Sequence, residues 1–258
     1  SYGQDVDNLD ELAEECQRIL NAEATEKLDE LYRLGGTSGG ARPKVMMEMD
    51  GEPWIIKFPA HVDRADIGKM EYDYYLCAEQ CGITMSECNL FPSDKCSGYF
   101  GTKRFDRKNQ HGEMERVHML TVAALLELDF EQPVLDYQDL MKLTKIITNN
   151  SPEDLENMYR RMCFNVYAHN RDDHAKNFSF LYEEEKKCWR LSPAYDLTYS
   201  TTYYGEHTTT VAGNGKNPGS KELIFVGTQA GLSKEKCRSI AVEIKNCVSD
   251  MLSEYLNP

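Results

Sequence analysis

The chain has 258 residues, 41% of them hydrophobic and 28% charged, enough to bury the core of one large domain or two modest lobes and unlike a disordered chain. Acidic side chains outnumber basic ones by 43 to 29, and the resulting net charge of −14 argues against direct binding of nucleic acid or anionic membrane by this chain. No run of 18 apolar residues occurs and no basic segment leads into an apolar one, so neither a membrane span nor a secretion leader is expected. The cysteines number 9, an odd count without a C-x-x-C pair, and read as reduced thiols of a cytoplasmic protein.

Leu9, Leu12, Cys16, Ile19 and Leu20, then Leu28, Leu31, Tyr32 and Leu34, recur at helical spacing and describe one or two amphipathic helices that Gly35 and Gly36 stop. KVMMEM, the pair Asp50-Gly51 and WIIKF form a β-hairpin, because Asp-Gly readily takes the positive φ angles of a tight turn. Lys57 alternates with Trp54, Ile56 and Phe58, so its side chain leaves from the opposite face, together with Ile55. Residues 67–81 read as a helix ended by Gly82. Cys77 and Cys81 lie on it four apart, and buried thiols are the simpler reading, since no second pair is spaced to complete a zinc site. SGYFGTKRF reads as a strand to Phe105.

Beyond it the pattern is mostly helical, over 115–128, 137–149 and 153–166, until the hairpin FSFLY, EEEKK, CWRLS interrupts it. GNGKNPGS reads as a flexible loop. The chain closes on a helix that keeps Cys237, Ile240, Ala241, Ile244, Val248, Met251 and Tyr255 on one face.

The densest chemistry is HNRDDHAKNFSF, His169 to Phe180. The hairpin after it returns the chain to the same end, which brings Asp196 of LSPAYDLTY toward Asp172 and Asn177. Two carboxylates and an amide are hard oxygen donors suited to Mg²⁺, with one carboxylate left over, the inventory of phosphoryl transfer. Protein kinases place a base Asp five positions before a metal-binding Asn, the spacing of Asp172 and Asn177, whereas Asp173 fits less well. Two other readings stay open: a polar loop whose short side chains bond the backbone, and a metal site from His169 and His174.

Kinase chemistry asks for more. GGTSGGARPK, residues 35–44, is a glycine-rich turn that can present backbone N–H groups to phosphates, although it is not a Walker A loop. Lys57 is a strand cation placed for the phosphates, with a solvated edge lysine as the plain alternative. Glu71, on the following helix, either orients Lys57 or sits at the surface. TKRFDR ends a strand where adenine would dock, and Phe105 there is equally at home in a core.

SGGARPK (38–44), IIKFP (55–59), KRFDR (103–107), DDHAKNFSF (172–180) and LSPAYDLT (191–198), in this order, resemble the HipA family of bacterial toxin kinases. The resemblance implies an α+β, two-lobed, protein-kinase-like fold. Its expected parts are an N-terminal helical segment (1–35), a β-rich nucleotide-binding lobe (36–105) and a mainly helical catalytic lobe (106–258). It implies ATP and Mg²⁺ as cofactors, Asp172 as general base, and Asn177 and Asp196 as metal ligands. ATP contacts would come from Gly39, Gly40, Ala41, Arg42, Pro43 and Lys44 of the phosphate loop, from Lys57, and from Lys103, Arg104 and Phe105 at the hinge. His174, Ala175, Lys176, Asn177, Tyr195 and Asp196 complete that set.

The implied activity is serine/threonine phosphorylation of a cytoplasmic protein, reported family targets including aminoacyl-tRNA synthetases. A helix-turn-helix antitoxin is the implied partner, and autophosphorylation in the phosphate loop would fall on Thr37 or Ser38. Full-length relatives carry a small domain before that loop, where this chain has about 35 mostly helical residues. Either the chain is trimmed or that domain is a separate polypeptide partner. The rivals are a small-molecule phosphotransferase, since sugar and antibiotic kinases use a related Asp-to-Asn spacing, and a catalytically silent kinase-like subunit that binds an antitoxin.

Overall fold

The computed structural model describes residues 9–19, 42–60, 63–127, 134–202 and 205–258. They gather into two compact units, one from the described residues of Ser1–Tyr72 with Glu87–Arg104, the other from Asp73–Ser86 with Phe105–Pro258.

The first unit is built on a four-stranded antiparallel sheet of β1 (Lys44–Met49), β2 (Glu52–Lys57), β3 (Cys88–Phe91) and β4 (Tyr99–Lys103), in the order β1-β2-β4-β3. Asp50 and Gly51 turn the first hairpin at φ 53° and 77°, as the Asp-Gly pair requires. Alternation along β2 buries Trp54 and Ile56, and Phe58 beyond its end, against Phe91, Tyr99 and Met49. Each such large side chain contributes about 1.5–3 kcal/mol by leaving water. A helix at residues 9–19 (α1) adds Leu9 and Ala13 to this core, and its Asp10 accepts hydrogen bonds from the Tyr99 and Ser93 hydroxyls. The residues 20–34 expected to continue the helical segment lie outside the described residues.

Helix α2 (Ile67–Gln80) belongs to both units. Its first turn lies directly on the backbone that enters β4: a Cβ on Gly68 would collide with the Gly98 carbonyl oxygen, so only glycine fits.

In the second unit, α5 (Pro152–Tyr167) is the most deeply buried helix described, started by the Ser151 cap and Pro152. Tyr159 of α5 donates to the Cys237 carbonyl of α7 (Lys234–Met251), while α4 (Tyr137–Ile147) opens with an Asp136/Asp139 capping box. The later half of α2 is held here as well: Tyr74 donates to the Ala168 carbonyl (2.7 Å), and Tyr255 donates to Asp73 (2.6 Å).

The segment 115–128, expected as one helix, is divided: 115–116 and 119–121 are strand, and only 122–126 are helical. A hairpin of β5 (Arg107–Gln110) and β6 (Glu113–Arg116) turns at His111 and Gly112, both with positive φ, and its polar strands carry no apolar alternation. β7 (Met119–Thr121) then pairs with β8 (Ser179–Glu183), which pairs with β9 (Cys188–Leu191), leaving only α3 (Val122–Leu126) helical. Pairing with a distant strand overrides the local pattern there. The expected FSFLY/CWRLS hairpin forms as β8–β9. The glycine- and asparagine-rich loop is tied down rather than loose: Gly213 donates to Asp136, and Asn214 bonds Glu222 and the Lys216 and Asn217 amides. It leads into α6 (Ser220–Gln229), and the closing helix breaks at Leu252 before α8 (Ser253–Leu256). No described helix is long and apolar enough to cross a membrane. All nine cysteines are free.

Candidate active site

The β8–β9 ladder continues past its strands, with the Ser192 amide donating to the Ser179 carbonyl at 3.0 Å, so residues after 192 return beside those before 179. Tyr195 closes the join. Its hydroxyl donates to the Lys176 carbonyl at 2.7 Å and lies 2.6 Å from the Ser179 hydroxyl, while its ring tilts against Phe105 with centroids 5.6 Å apart. Burial pushes this phenol up to about 12, so it keeps its proton and can donate. Asn177, Tyr195 and Leu197 therefore line one cavity with Phe178, Ala194 and Arg161. Asp196 lies between two of these residues, in the left-handed region at φ 56°, which Asp tolerates better than bulkier side chains.

The loop before Asn177 is held from two sides. The Arg171 amide donates to the Ser200 carbonyl, and the Ser200 amide to the His169 carbonyl; on the other flank the Thr208 amide donates to the Arg171 carbonyl. His174 caps a short 3-10 turn, Ala175–Asn177, its Nδ1 accepting from the Lys176 amide at 3.3 Å. Asn177 Nδ2 donates to the Asp172 carbonyl at 2.8 Å, which closes the five-residue interval into a ring and turns the amide oxygen away from it. The Asp172 side chain is 56% exposed, with His174 Nε2 3.5 Å from one carboxylate oxygen.

Asp173 is the opposite case. It is fully buried, accepting from Tyr137 (2.6 Å) and the Thr209 amide (3.2 Å), with His207 Nδ1 at 2.8 Å. Asn165 extends this network to Tyr137 and Asn170. Burial beside Asp173 drives the Tyr137 hydroxyl well above its ordinary value, so Tyr137 is a permanent donor. Sequence reasoning missed these partners because they lie 34 to 36 residues away from Asp173. It also missed Arg161, whose buried guanidinium donates to the Ser192 carbonyl (2.6 Å) and to Asn157 (3.0 Å).

In the first unit, Lys57 Nζ lies 2.5 Å from Glu71 Oε1, with the two side chains 18% and 5% exposed. Of the two readings of Glu71, the orienting partner is the one formed. Arg42 makes a two-point pair with Asp63 (3.0 and 3.3 Å), which also accepts from the Ala60 amide. Pro43 accepts from the Phe58 amide, and Lys44 pairs across the ladder with Lys57. Lys103 pairs with Glu87 at 2.8 Å and lies over Trp54, while the Arg104 amide donates to the Pro53 carbonyl. The chain passes from one unit to the other between Arg104 and Phe105. Thr37, Ser38, Gly39, Gly40 and Ala41 lie outside the described residues. Among the described residues no third histidine, cysteine or carboxylate joins His169 and His174, so a histidine metal site gains no support.

The family model described as "HipA-like C-terminal domain" matches residues 36–251. The chain belongs to the HipA-like C-terminal domain family. It is similar to two proteins of Sinorhizobium fredii (strain NBRC 101917 / NGR234). One is "Putative kinase Y4dM", 28% identical over 175 residues, or 62% of this chain and 41% of the relative. The other is "Putative kinase Y4mE", 25% identical over 207 residues, 72% of this chain and 48% of the relative. The HipA-like chain thus spans a little under half the length of these two relatives. Among solved structures it resembles HipA in the Shewanella oneidensis MR-1 complex of HipA, HipB and operator DNA, with TM-score 0.66, 17% identity, and coverage of 86% of this chain and 58% of that one. The Helicobacter pylori proinflammatory kinase CtkA matches with TM-score 0.54 and 12% identity, over 81% of this chain and 91% of that one. The fold of this HipA-like domain is kinase-like.

Proposed function

We propose that this HipA-like domain is the catalytic core of an ATP- and Mg²⁺-dependent serine/threonine protein kinase, the toxin of a toxin–antitoxin pair. The observation that carries the reading is the contrast within one dipeptide. Asp172 keeps an accessible carboxylate above the ring closed by Asn177, while Asp173 is consumed by the buried scaffold beneath it. A general base must reach a substrate hydroxyl, and only the first of these carboxylates is open to one.

The donor set fits the cofactor. Asn177 spends its amide nitrogen on the loop and keeps its oxygen for a hard cation, and the exposed Asp196, next in sequence to Tyr195 of the same cavity, is assigned as the second ligand. Bound Mg²⁺-ATP would supply the phosphoryl group and the divalent charge over its oxygens. Asp172 is assigned to orient the attacking hydroxyl and take its proton, and Lys57, held by Glu71, to place positive charge on phosphate oxygens. Lys103, Arg104 and Phe105 are assigned to adenine, and the 39–44 loop, His174, Ala175, Lys176 and Tyr195 to further nucleotide contacts.

The acceptor is a serine or threonine of a cytoplasmic protein, an aminoacyl-tRNA synthetase being the family's precedent, and Thr37 or Ser38 is the site of autophosphorylation. The HipA relative solved together with HipB and operator DNA supports a helix-turn-helix antitoxin as partner. With labelled ATP, the wild-type chain should label protein rather than small molecules in a bacterial lysate, and Asp172→Asn should lose about 10²–10⁴ of that rate while still binding Mg²⁺-ATP in calorimetry. Label transfer by the asparagine variant at the wild-type rate would remove Asp172 from the chemistry.

A further inference from the structure

The helical unit holds a second cluster of reactive groups that the kinase reading does not use. Cys77 and Cys81, one turn apart on α2, meet Cys247 from the end of α7, and the three sulfurs all lie within 4.8 Å of one another. Among the described residues this is the one group of three histidine, cysteine or acidic side chains drawn so close. The sequence hid it, because Cys247 stands 166 positions after Cys81 and supplies the ligand that the α2 pair lacks. A fourth sulfur is at hand: Met251, one turn further along α7, has its thioether 3.7 Å from the Cys247 sulfur.

Buried thiols alone are ordinary core filler. Two features set this cluster apart. The three sulfurs come from two helices yet lie within 4.8 Å of one another, so the thiols converge on one point rather than packing separately. Cys77 and Cys81 are fully buried whereas Cys247 is partly exposed, which leaves an entry path on one side. Three thiolates around a tetrahedral Zn²⁺ with bonds of about 2.3 Å have sulfurs roughly 3.8 Å apart, so the cluster needs only a small contraction to reach ligand geometry.

We propose that Cys77, Cys81 and Cys247 form a binding site for a soft d¹⁰ cation of the Zn²⁺ or Cu⁺ class, with the Met251 thioether as the fourth donor. An all-sulfur set excludes Mg²⁺ and Ca²⁺ and favours cations that bind thiolate. Loading a divalent ion releases one proton from each thiol that becomes a thiolate and leaves the three-thiolate site with a single negative charge. The bound ion would staple the C-terminal half of α2 to the end of α7. The N-terminal half of the same helix carries Glu71, the partner of Lys57. The site is thus built to stiffen the helix that orients the strand lysine, and it does not depend on the kinase assignment.

The test uses the intact, reduced chain with Zn²⁺ as probe and a chromogenic zinc chelator as competitor, with Co²⁺ as spectroscopic substitute. One Zn²⁺ per chain by native mass spectrometry, retained against the chelator, is expected, together with the intense sulfur-to-cobalt absorption of a tetrahedral thiolate site. Cys247→Ser is only partly buried and should leave the metal-free melting temperature unchanged while abolishing retention and the cobalt band. Cys16→Ser/Cys96→Ser, outside the cluster, should change neither. Failure to retain zinc overturns the proposal, as does a Cys247→Ser variant that binds like the wild type. A cobalt spectrum without the sulfur band, or a Cys77–Cys247 disulfide in place of metal binding, overturns it too.

Discussion

Asp172 and Asp173 are neighbours in the chain and opposites in environment: one carboxylate is 56% exposed, while the other is fully enclosed by Tyr137, His207 and Thr209. Their asparagine variants should therefore fail in different assays. Asp172→Asn should leave the denaturation midpoint within about 0.5 kcal/mol of wild type, as a change away from buried networks does. Asp173→Asn leaves a buried amide among groups arranged for a carboxylate and should cost roughly 3 kcal/mol in urea unfolding. Equal stability losses from both would contradict the division of labour.

Glu71 is nearly fully buried against Lys57, so its removal takes away the carboxylate that holds the lysine in place. Glu71→Gln should lower kcat/KM for ATP by about tenfold to a hundredfold through mispositioning of the lysine. A steady-state titration of ATP at saturating protein acceptor reads this. An unchanged kcat/KM would make the ion pair structural only.

Gly68 sits one turn before Glu71 on the same side of α2, with no room for a methyl group above the Gly98 carbonyl. Because the obstacle is backbone, Gly68→Ala should destabilise the fold by about 1–3 kcal/mol and lift Glu71 from Lys57. Thermal unfolding and the ATP titration should therefore both move. Gly112→Ala, at a turn with open space around it, gives the contrast: a smaller, purely conformational loss without any effect on ATP.

The His169 imidazole is held below the ordinary histidine value of 6.5, first by burial and then by Arg171 and His207. The unfolded chain therefore takes up this proton before the folded one does. The folded state has its full stability above pH 6.5 and loses part of it as the pH falls below that value. Since His169 lies at φ 52°, His169→Asn keeps a residue that accepts the left-handed conformation and should flatten the loss. Chemical denaturation across that range, in both proteins, decides it. An unaltered slope in the variant would place the proton uptake elsewhere.

The sequence made legible what local rules govern. Asp50-Gly51 announced its turn, and alternation around Trp54 and Ile56 announced a buried strand face. What stayed hidden depends on partners far along the chain. β7 exists because β8 lies beside it, sixty positions later, and Met119-Leu120-Thr121 alone looks no different from the start of a helix. The β5–β6 hairpin escaped because polar strands leave no hydrophobic rhythm, and His-Gly is a rarer turn pair than Asp-Gly. Arg161 and Tyr137 read as ordinary helix residues until the loop they support is in place.

The chain changes compact unit at Tyr72–Asp73, at Ser86–Glu87 and again at Arg104–Phe105. Neither unit can therefore be excised with a single cut, and the first of these seams runs through the middle of α2. A protease nick in α2 would sever one continuous helix that both units share. Mechanical or thermal damage begun in the sheet unit thus has a direct covalent route into the helical one, and the protein should melt as a coupled whole rather than in two independent steps.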